Sequence, residues 1–186
     1  MVVSIHQPNF FPHYPFFEKM KEADIFVLLT HCQFEKNNYQ NRFRMEDRWH
    51  TLCVNSGLQS MREKKYLRPF DDWSRIKQNL KPWGFILDKF DDCISNDLVK
   101  TNISIIKRIV SMLNIKTIIE IDDETKLKGT ERLLDICKKY NAHKYISGVS
   151  GVNYMDMELF ERNDIEVVFQ PLQKTKPIIE VLYERV

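Results

Sequence analysis

Two histidines, a glutamine and an asparagine stand among three prolines near the start of this chain, in His6-Gln7-Pro8-Asn9-Phe10-Phe11-Pro12-His13-Tyr14-Pro15. Imidazole titrates near neutrality, so His6 is the candidate general base or acid. Gln7 beside it carries an amide that can orient a carbonyl or a sugar hydroxyl, and Asn9 and His13 are candidate substrate contacts. Proline fixes φ, which makes such a loop stiff as well as polar. Val2-Val3-Ser4-Ile5 before it reads as a short buried strand, and a helix is predicted from near Phe16. In α/β folds the loop off the carboxyl end of a strand is where ligands bind. His6 is therefore expected to be partly buried, with one ring nitrogen held by an acceptor and the other open to a cleft. The competing reading is a proline-rich strap packed by its own aromatics.

A second cluster, Gln33-Phe34-Glu35-Lys36-Asn37-Asn38-Tyr39-Gln40-Asn41-Arg42-Phe43-Arg44, follows the apolar run Asp24–Thr30 as the first follows Val2–Ile5. If those runs are neighbouring parallel strands, both loops lie at one edge of the sheet, and Asn41 and Arg42 face His6 and Gln7 across a crevice. Arginine's planar fork suits a carboxylate or a phosphate. A solvated polar hairpin is the alternative, and for Lys36 and Arg44 it is the preferred reading. The third cluster, Tyr145-Ile146-Ser147-Gly148-Val149-Ser150-Gly151-Val152-Asn153-Tyr154, reads as strand, small-residue loop and helix. Ser147, Gly148 and Tyr154 are its candidate contacts, with a helix N-terminus to receive an anion; a tight turn would equally account for the glycines. His6, Gln7, Asn41, Arg42, Ser147, Gly148 and Tyr154 are expected to line one cleft. A cysteine nucleophile is disfavoured, because Cys32 adjoins His31 and neighbours on a strand point to opposite faces.

The elements that must hold these loops follow an α/β pattern. Strands are predicted at Val2–Ile5, Asp24–Thr30, Ile115–Ile121, His143–Ile146 and Ile165–Phe169, with the second and third read as buried, and a further strand at Thr51–Val54. Helices are predicted over Phe16–Ala23, Phe70–Asn79 and Asn96–Leu113, from Thr130 as N-cap, and over Asn153–Arg162. The fold class is an open, mainly parallel (Rossmann-like) sheet with helices on both faces. At 186 residues the chain reads as a single domain, 1–186, with an irregular insertion at roughly 33–92. Aromatics make up 12% of the residues, enough for a core and for a cleft with aromatic walls. A net charge of +2 creates no field to draw nucleic acid. No apolar run is long enough to span a bilayer, and Met1 runs into a strand without a basic leader, so a cytoplasmic location is expected. Cys32, Cys53, Cys93 and Cys137 are scattered without a CxxC pair, which argues against disulfides and against a metal site.

Taken together, His6-Gln7-Pro8 with Pro12 and Phe17, Ala23-Asp24, Gln33-Phe34, Asn41-Arg42, and Ser147-Gly148 through Tyr154 resemble the WbqC-like family in order and spacing over most of the chain. Pro177-Ile178-Ile179-Glu180-Val181-Leu182-Tyr183 looks like a degenerate form of that family's closing segment. Tyr14-Pro15 and Thr30-His31 depart from its pattern, where an aliphatic–Gly pair and an Asp pair are usual, so His31 would have to take over any role of those acids. The resemblance implies a protein of bacterial surface-polysaccharide (O-antigen) gene clusters. It also implies an aminoacyl or acyl (glycine-type) transferase acting on an amino sugar or sugar nucleotide, with an activated acyl or aminoacyl donor; the cofactor is left open. Two rivals stand beside that reading. One is an HxGH-like nucleotidyltransferase, with His6 and His13 on the triphosphate and Ser147-Gly148 as its second phosphate loop. The other is a non-catalytic sugar-nucleotide-binding or scaffold protein.

Overall fold

The computed structural model describes residues 1–171 and 176–185. In chain order the elements are β1 (Val2–His6), α1 (Tyr14–Lys21), β2 (Ile25–Leu28), β3 (Arg42–Met45), β4 (Arg48–Thr51), α2 (Pro69–Asn79), α3 (Gly84–Leu87), α4 (Leu98–Met112), β5 (Ile118–Ile121), α5 (Gly129–Lys139), β6 (Lys144–Ser147), α6 (Met157–Glu161), β7 (Glu166–Phe169) and α7 (Ile178–Tyr183). They fall into two compact units, residues 1–6, 15–29 and 116–171 in the first, and residues 7–14, 30–115 and 176–185 in the second.

The first unit is a parallel five-stranded sheet in the order β5-β2-β1-β6-β7. Val3 pairs with Ile25 on one side and Tyr145 on the other. The strands build outward from β1 through β2 to β5, then return to the far side of β1 for β6 and β7. The winding therefore reverses between β1 and β6, as in doubly wound α/β sheets. Alternation sorts the two faces. Val3, Ile5, Ile25, Val27 and Tyr145 pack with Leu133, Leu134, Ile136 and Cys137 of α5 and Phe160 of α6. Phe26 faces the other way, with its ring 4.9 Å from that of Phe16 on α1.

Three details of this unit differ from the sequence reading. β5 is the edge of the sheet, with Ile118 57% and Ile121 38% exposed, because an apolar run looks alike at an edge and at a centre. Lys128, not Thr130, occupies the cap position of α5, and Thr130 Oγ1 instead accepts the backbone N–H of Asp156. The helix expected over Asn153–Arg162 shortens to α6, where Asp156 caps the first turn by accepting from the Leu159 N–H.

In the second unit β3 and β4 form an antiparallel hairpin, and its two turn residues, Glu46 and Asp47, have φ of 50° and 56°. Two consecutive left-handed residues match the twist of a two-residue hairpin turn. The strand expected at Thr51–Val54 thus lies earlier, at Arg48–Thr51. The core of this unit is aromatic. Phe10, Phe11, Phe43, Tyr66, Trp73 and Phe90 are all buried, and Phe11 lies stacked on Trp73 at 5.6 Å. Phe10 and Phe11 of the proline-rich loop are therefore core residues.

Lys19 on α1 is 1% exposed. Its Nζ donates to the Ile5 carbonyl at 3.1 Å and lies 5.5 Å from the Phe26 ring centroid. Burial lowers its pKa from 10.5 to about 7. Between those values the unfolded chain holds more protons than the folded one, so stability rises with pH across that window and falls again toward neutrality. The expected gain is on the order of a few kcal/mol. Urea midpoints should climb from pH 7 toward pH 10 in the wild type, and the climb should vanish in Lys19→Met. A variant with the wild-type slope would contradict this account of the buried amine.

Candidate functional site

In the first unit, the carboxyl ends of β1 and β6 flank the reversal of the sheet, and they present His6 and Ser147. The strands are locked there by Ser4, whose buried Oγ donates to the Ile146 carbonyl at 2.8 Å. His6 is half-buried, and its ring meets Phe16 edge-on at 5.0 Å. Its carbonyl accepts the Leu29 N–H at 2.9 Å, so the backbone at this position belongs to the sheet.

Ser147 is 2% exposed, and its Oγ donates to the Gly148 carbonyl at 3.2 Å. Beyond Gly148 the chain enters a 3₁₀ turn, Val149–Asn153, rather than an α-helix. A five-residue turn aligns fewer peptide dipoles than the α-helix expected at this position. What the turn offers instead is apolar surface. Val149, Val152 and Tyr154 are 44%, 59% and 62% exposed. Gly151 folds the turn back onto Ser147, since a Cβ there would stand 2.3 Å from Ser147 Oγ and 3.1 Å from Met155 Cε.

In the second unit, the loop of residues 7–14 is tied to residues 35–42 at several points. Gln40 is fully buried; its Nε2 donates to Gln7 Oε1 at 2.6 Å and its Oε1 accepts the Glu35 N–H at 2.8 Å. Phe10 donates its N–H to the Tyr39 carbonyl at 2.9 Å. Asn102 on α4 donates both amide hydrogens, to the Pro8 and Gln40 carbonyls, each at 2.7 Å. Its Oδ1 accepts from the Tyr66 hydroxyl at 3.0 Å. Asn9 is half-buried on the same loop.

Asn41 is 8% exposed; its Nδ2 donates to the Leu52 carbonyl at 2.9 Å and its own carbonyl accepts the Leu52 N–H at 3.0 Å. That closes the open end of the hairpin. Alternation along β3 and β4 turns Phe43, Met45 and His50 inward and Arg42, Arg44 and Trp49 outward. Arg42 lies over Trp49, its Cζ 3.9 Å from the ring centroid, and Nη2 donates to the Asn37 carbonyl. Tyr39 meets the same indole at 5.3 Å, and His13 meets Tyr39 edge-on at 5.1 Å. Burial holds the His13 imidazole below its ordinary pKa. Arg44 pairs with Asp47 on the surface, and Lys36 is exposed, as the solvated-hairpin reading has it.

His31 and Cys32 follow the end of β2 and are not strand residues, so strand alternation does not govern them. Cys32 Sγ lies 3.5 Å from Met61 Sδ. All four cysteines are free thiols, and burial pushes Cys137 up to about 12 and raises Cys93, away from the thiolate a nucleophile needs. Among the described residues no three His, Cys, Asp or Glu side chains gather as metal ligands would.

The candidates thus divide between the units. His6, Ser147, Gly148 and Tyr154 belong to the first; Gln7, Asn9, His13, Asn41 and Arg42 belong to the second. Sequence reasoning passed over Trp49, Gln40 and Asn102. Trp49 was open to detection by counting outward positions back from Arg42 through an Asp-containing two-residue turn.

The WbqC-like protein family matches residues 7–177 of the chain. Among curated proteins, Uncharacterized protein Rv1507c of Mycobacterium tuberculosis is 25% identical over 186 residues, covering 90% of this chain and 80% of that protein. No solved structure matches.

The Gly151 contact is checked by a pair of substitutions. Gly151→Ala should destabilise the protein by about 1–3 kcal/mol through overpacking against Ser147. Gly148→Ala, at φ −68° with nothing within 4 Å of the added carbon, should change stability by less than about 0.5 kcal/mol. Equal melting temperatures for the two variants would contradict the packing described.

Proposed function

The chain belongs to the WbqC-like protein family, and from that membership we propose that it transfers an aminoacyl or acyl group, of the glycine type, to the amine of an amino sugar or sugar nucleotide in bacterial surface-polysaccharide (O-antigen) synthesis. The observation that carries the reading is the position of His6, at the carboxyl end of β1 where the winding of the sheet reverses. That is the place at which open α/β sheets bind their ligands.

In the proposed reaction the sugar amine attacks the carbonyl carbon of an activated donor. His6 takes the amine proton as the C–N bond forms and returns a proton to the leaving group as its bond to carbon breaks. Gln7, its side-chain carbonyl held by Gln40, orients the donor carbonyl. Asn9, His13 and Arg42 contact substrate, and Asn41 positions Arg42 by closing the hairpin. Ser147, Gly148 and Tyr154 shape the ligand side of the loop after β6. The nucleotidyltransferase alternative has less support, because its second phosphate loop would have to rest on the 3₁₀ turn after Gly148.

The test combines UDP- and dTDP-amino sugars with acetyl and aminoacyl donors and detects the amide product by mass spectrometry. With a productive pair in hand, His6→Gln should lower turnover by about 10²–10⁴-fold and flatten the pH dependence of the rate near neutrality. Its melting temperature should stay near that of the wild type, since the backbone bond from Leu29 is retained. Full activity in the variant would refute the catalytic role.

A further inference from the structure

Trp49 is a large aromatic that the fold turns outward and leaves 42% exposed, on the face of the hairpin opposite His50. It does not stand alone. Arg42 covers one indole face at 3.9 Å, Tyr39 leans on it at 5.3 Å, and His13 braces Tyr39 from the side. Both arms of this arrangement are anchored in the backbone. Arg42 is fixed to the Asn37 carbonyl, and Tyr39 offers its own carbonyl to the Phe10 N–H. The phenol plane is inclined 57° to the indole, so a flat partner stacks on the indole with the phenol at its flank, and little side-chain freedom remains to be lost on binding.

Resting on the sugar-nucleotide reading above, we infer that Trp49, flanked by Tyr39 and backed by Arg42, forms the stacking platform for the base of a nucleoside diphosphate. Every base has a π-face, so an aromatic platform of this kind accepts a base without needing hydrogen-bond complementarity. The diphosphate calls for cations within reach of the base, and Arg42 and Arg44 share the outward face of the hairpin with Trp49. Glu46 and Asp47 at the turn, and Glu35 before Tyr39, bound that positive stretch. A short dinegative ligand fits such a bounded site, whereas a long polyanionic strand would run onto the acids. An amino sugar alone carries neither the π-face nor the negative charge.

The experiment uses the full chain and UDP, dTDP and free glucosamine as probes. Of the three tryptophans Trp73 is 3% exposed and Trp83 is half-buried, so loss of the quench in the Trp49 variants, not the quench itself, assigns it to Trp49. UDP and dTDP should quench intrinsic fluorescence saturably, and glucosamine should not. By calorimetry Trp49→Leu should bind UDP roughly 5- to 150-fold more weakly, the worth of one base–aromatic stack, and lose the quench. Trp49→Phe should recover much of the affinity, and Tyr39→Ala should fall between. Circular dichroism shows whether each variant is folded, and Trp49→Phe keeps the test decisive if Trp49→Leu is not. UDP binding that is equally tight in folded Trp49→Leu would overturn the platform and leave the transferase reading standing. UDP binding through Trp49 in a protein that forms no amide product would do the reverse. Absence of any UDP or dTDP binding to the wild type would overturn the inference outright.

Discussion

One buried amide organises the loops of the second unit. Asn102 sits in the apolar stripe of α4, on the same helical face as Leu98 and Ile105, and none of the three is exposed. Its two N–H groups and its oxygen are all used, on Pro8, Gln40 and Tyr66. Pro8 separates Gln7 from Asn9, and Gln40 separates Tyr39 from Asn41, so each of those residues adjoins one whose carbonyl Asn102 holds. The price of removing it would be more than a lost contact, since each partner left buried without water costs about 1–3 kcal/mol. Aspartate could not substitute, because it has no donors to offer two carbonyls.

The same loop carries a strain that aromatic packing overcomes. Phe11 has φ of 46°, a region that bulky side chains rarely visit and that costs on the order of 1–3 kcal/mol. Burying a phenyl ring completely is worth about 1.5–3 kcal/mol, and aromatic pairing adds about 0.5–1.5 kcal/mol. Phe11 is 2% exposed and pairs with Phe10, Phe43, Trp73 and Phe90, so packing wins and the strained geometry persists. Strain held by a surrounding core gives a loop one conformation. That is what a positioning loop requires.

The sheet was legible because its strands are short apolar runs bounded by polar segments, and Val2–His6 and Ile25–Leu28 pair in parallel as neighbours, as expected. What periodicity could not supply was the environment of each residue. Ile118 and Ile121 have the composition of a buried strand and lie at an edge. Lys19 belongs to a helix whose pattern gives no hint that its amine is buried. Phe10 and Phe11 stand between prolines in a loop, yet they are core, because a loop with enough aromatics packs like an element. In the candidate site, His6 at the end of a strand was readable from position alone. Asn102 was readable only as an anomaly, a polar residue on an apolar helical face, and such a residue implies buried partners without naming them. Both glycines after Ser147 were read for their smallness, and only at Gly151 would a Cβ meet a neighbour, the Ser147 Oγ.

Asn102 gives the loops their single arrangement before any ligand binds. Hydrogen exchange at individual amides tests it most directly, comparing the wild type with Asn102→Leu. The N–H of Phe10, bonded to Tyr39, and the N–H of Glu35, bonded to Gln40, should be protected in the wild type. In the variant both should exchange much faster, while the amides in the middle of α4 and those of β1 keep their protection. Protection at Phe10 and Glu35 that survives in a folded Asn102→Leu protein would contradict the account, and would mean that aromatic packing alone sets the loops.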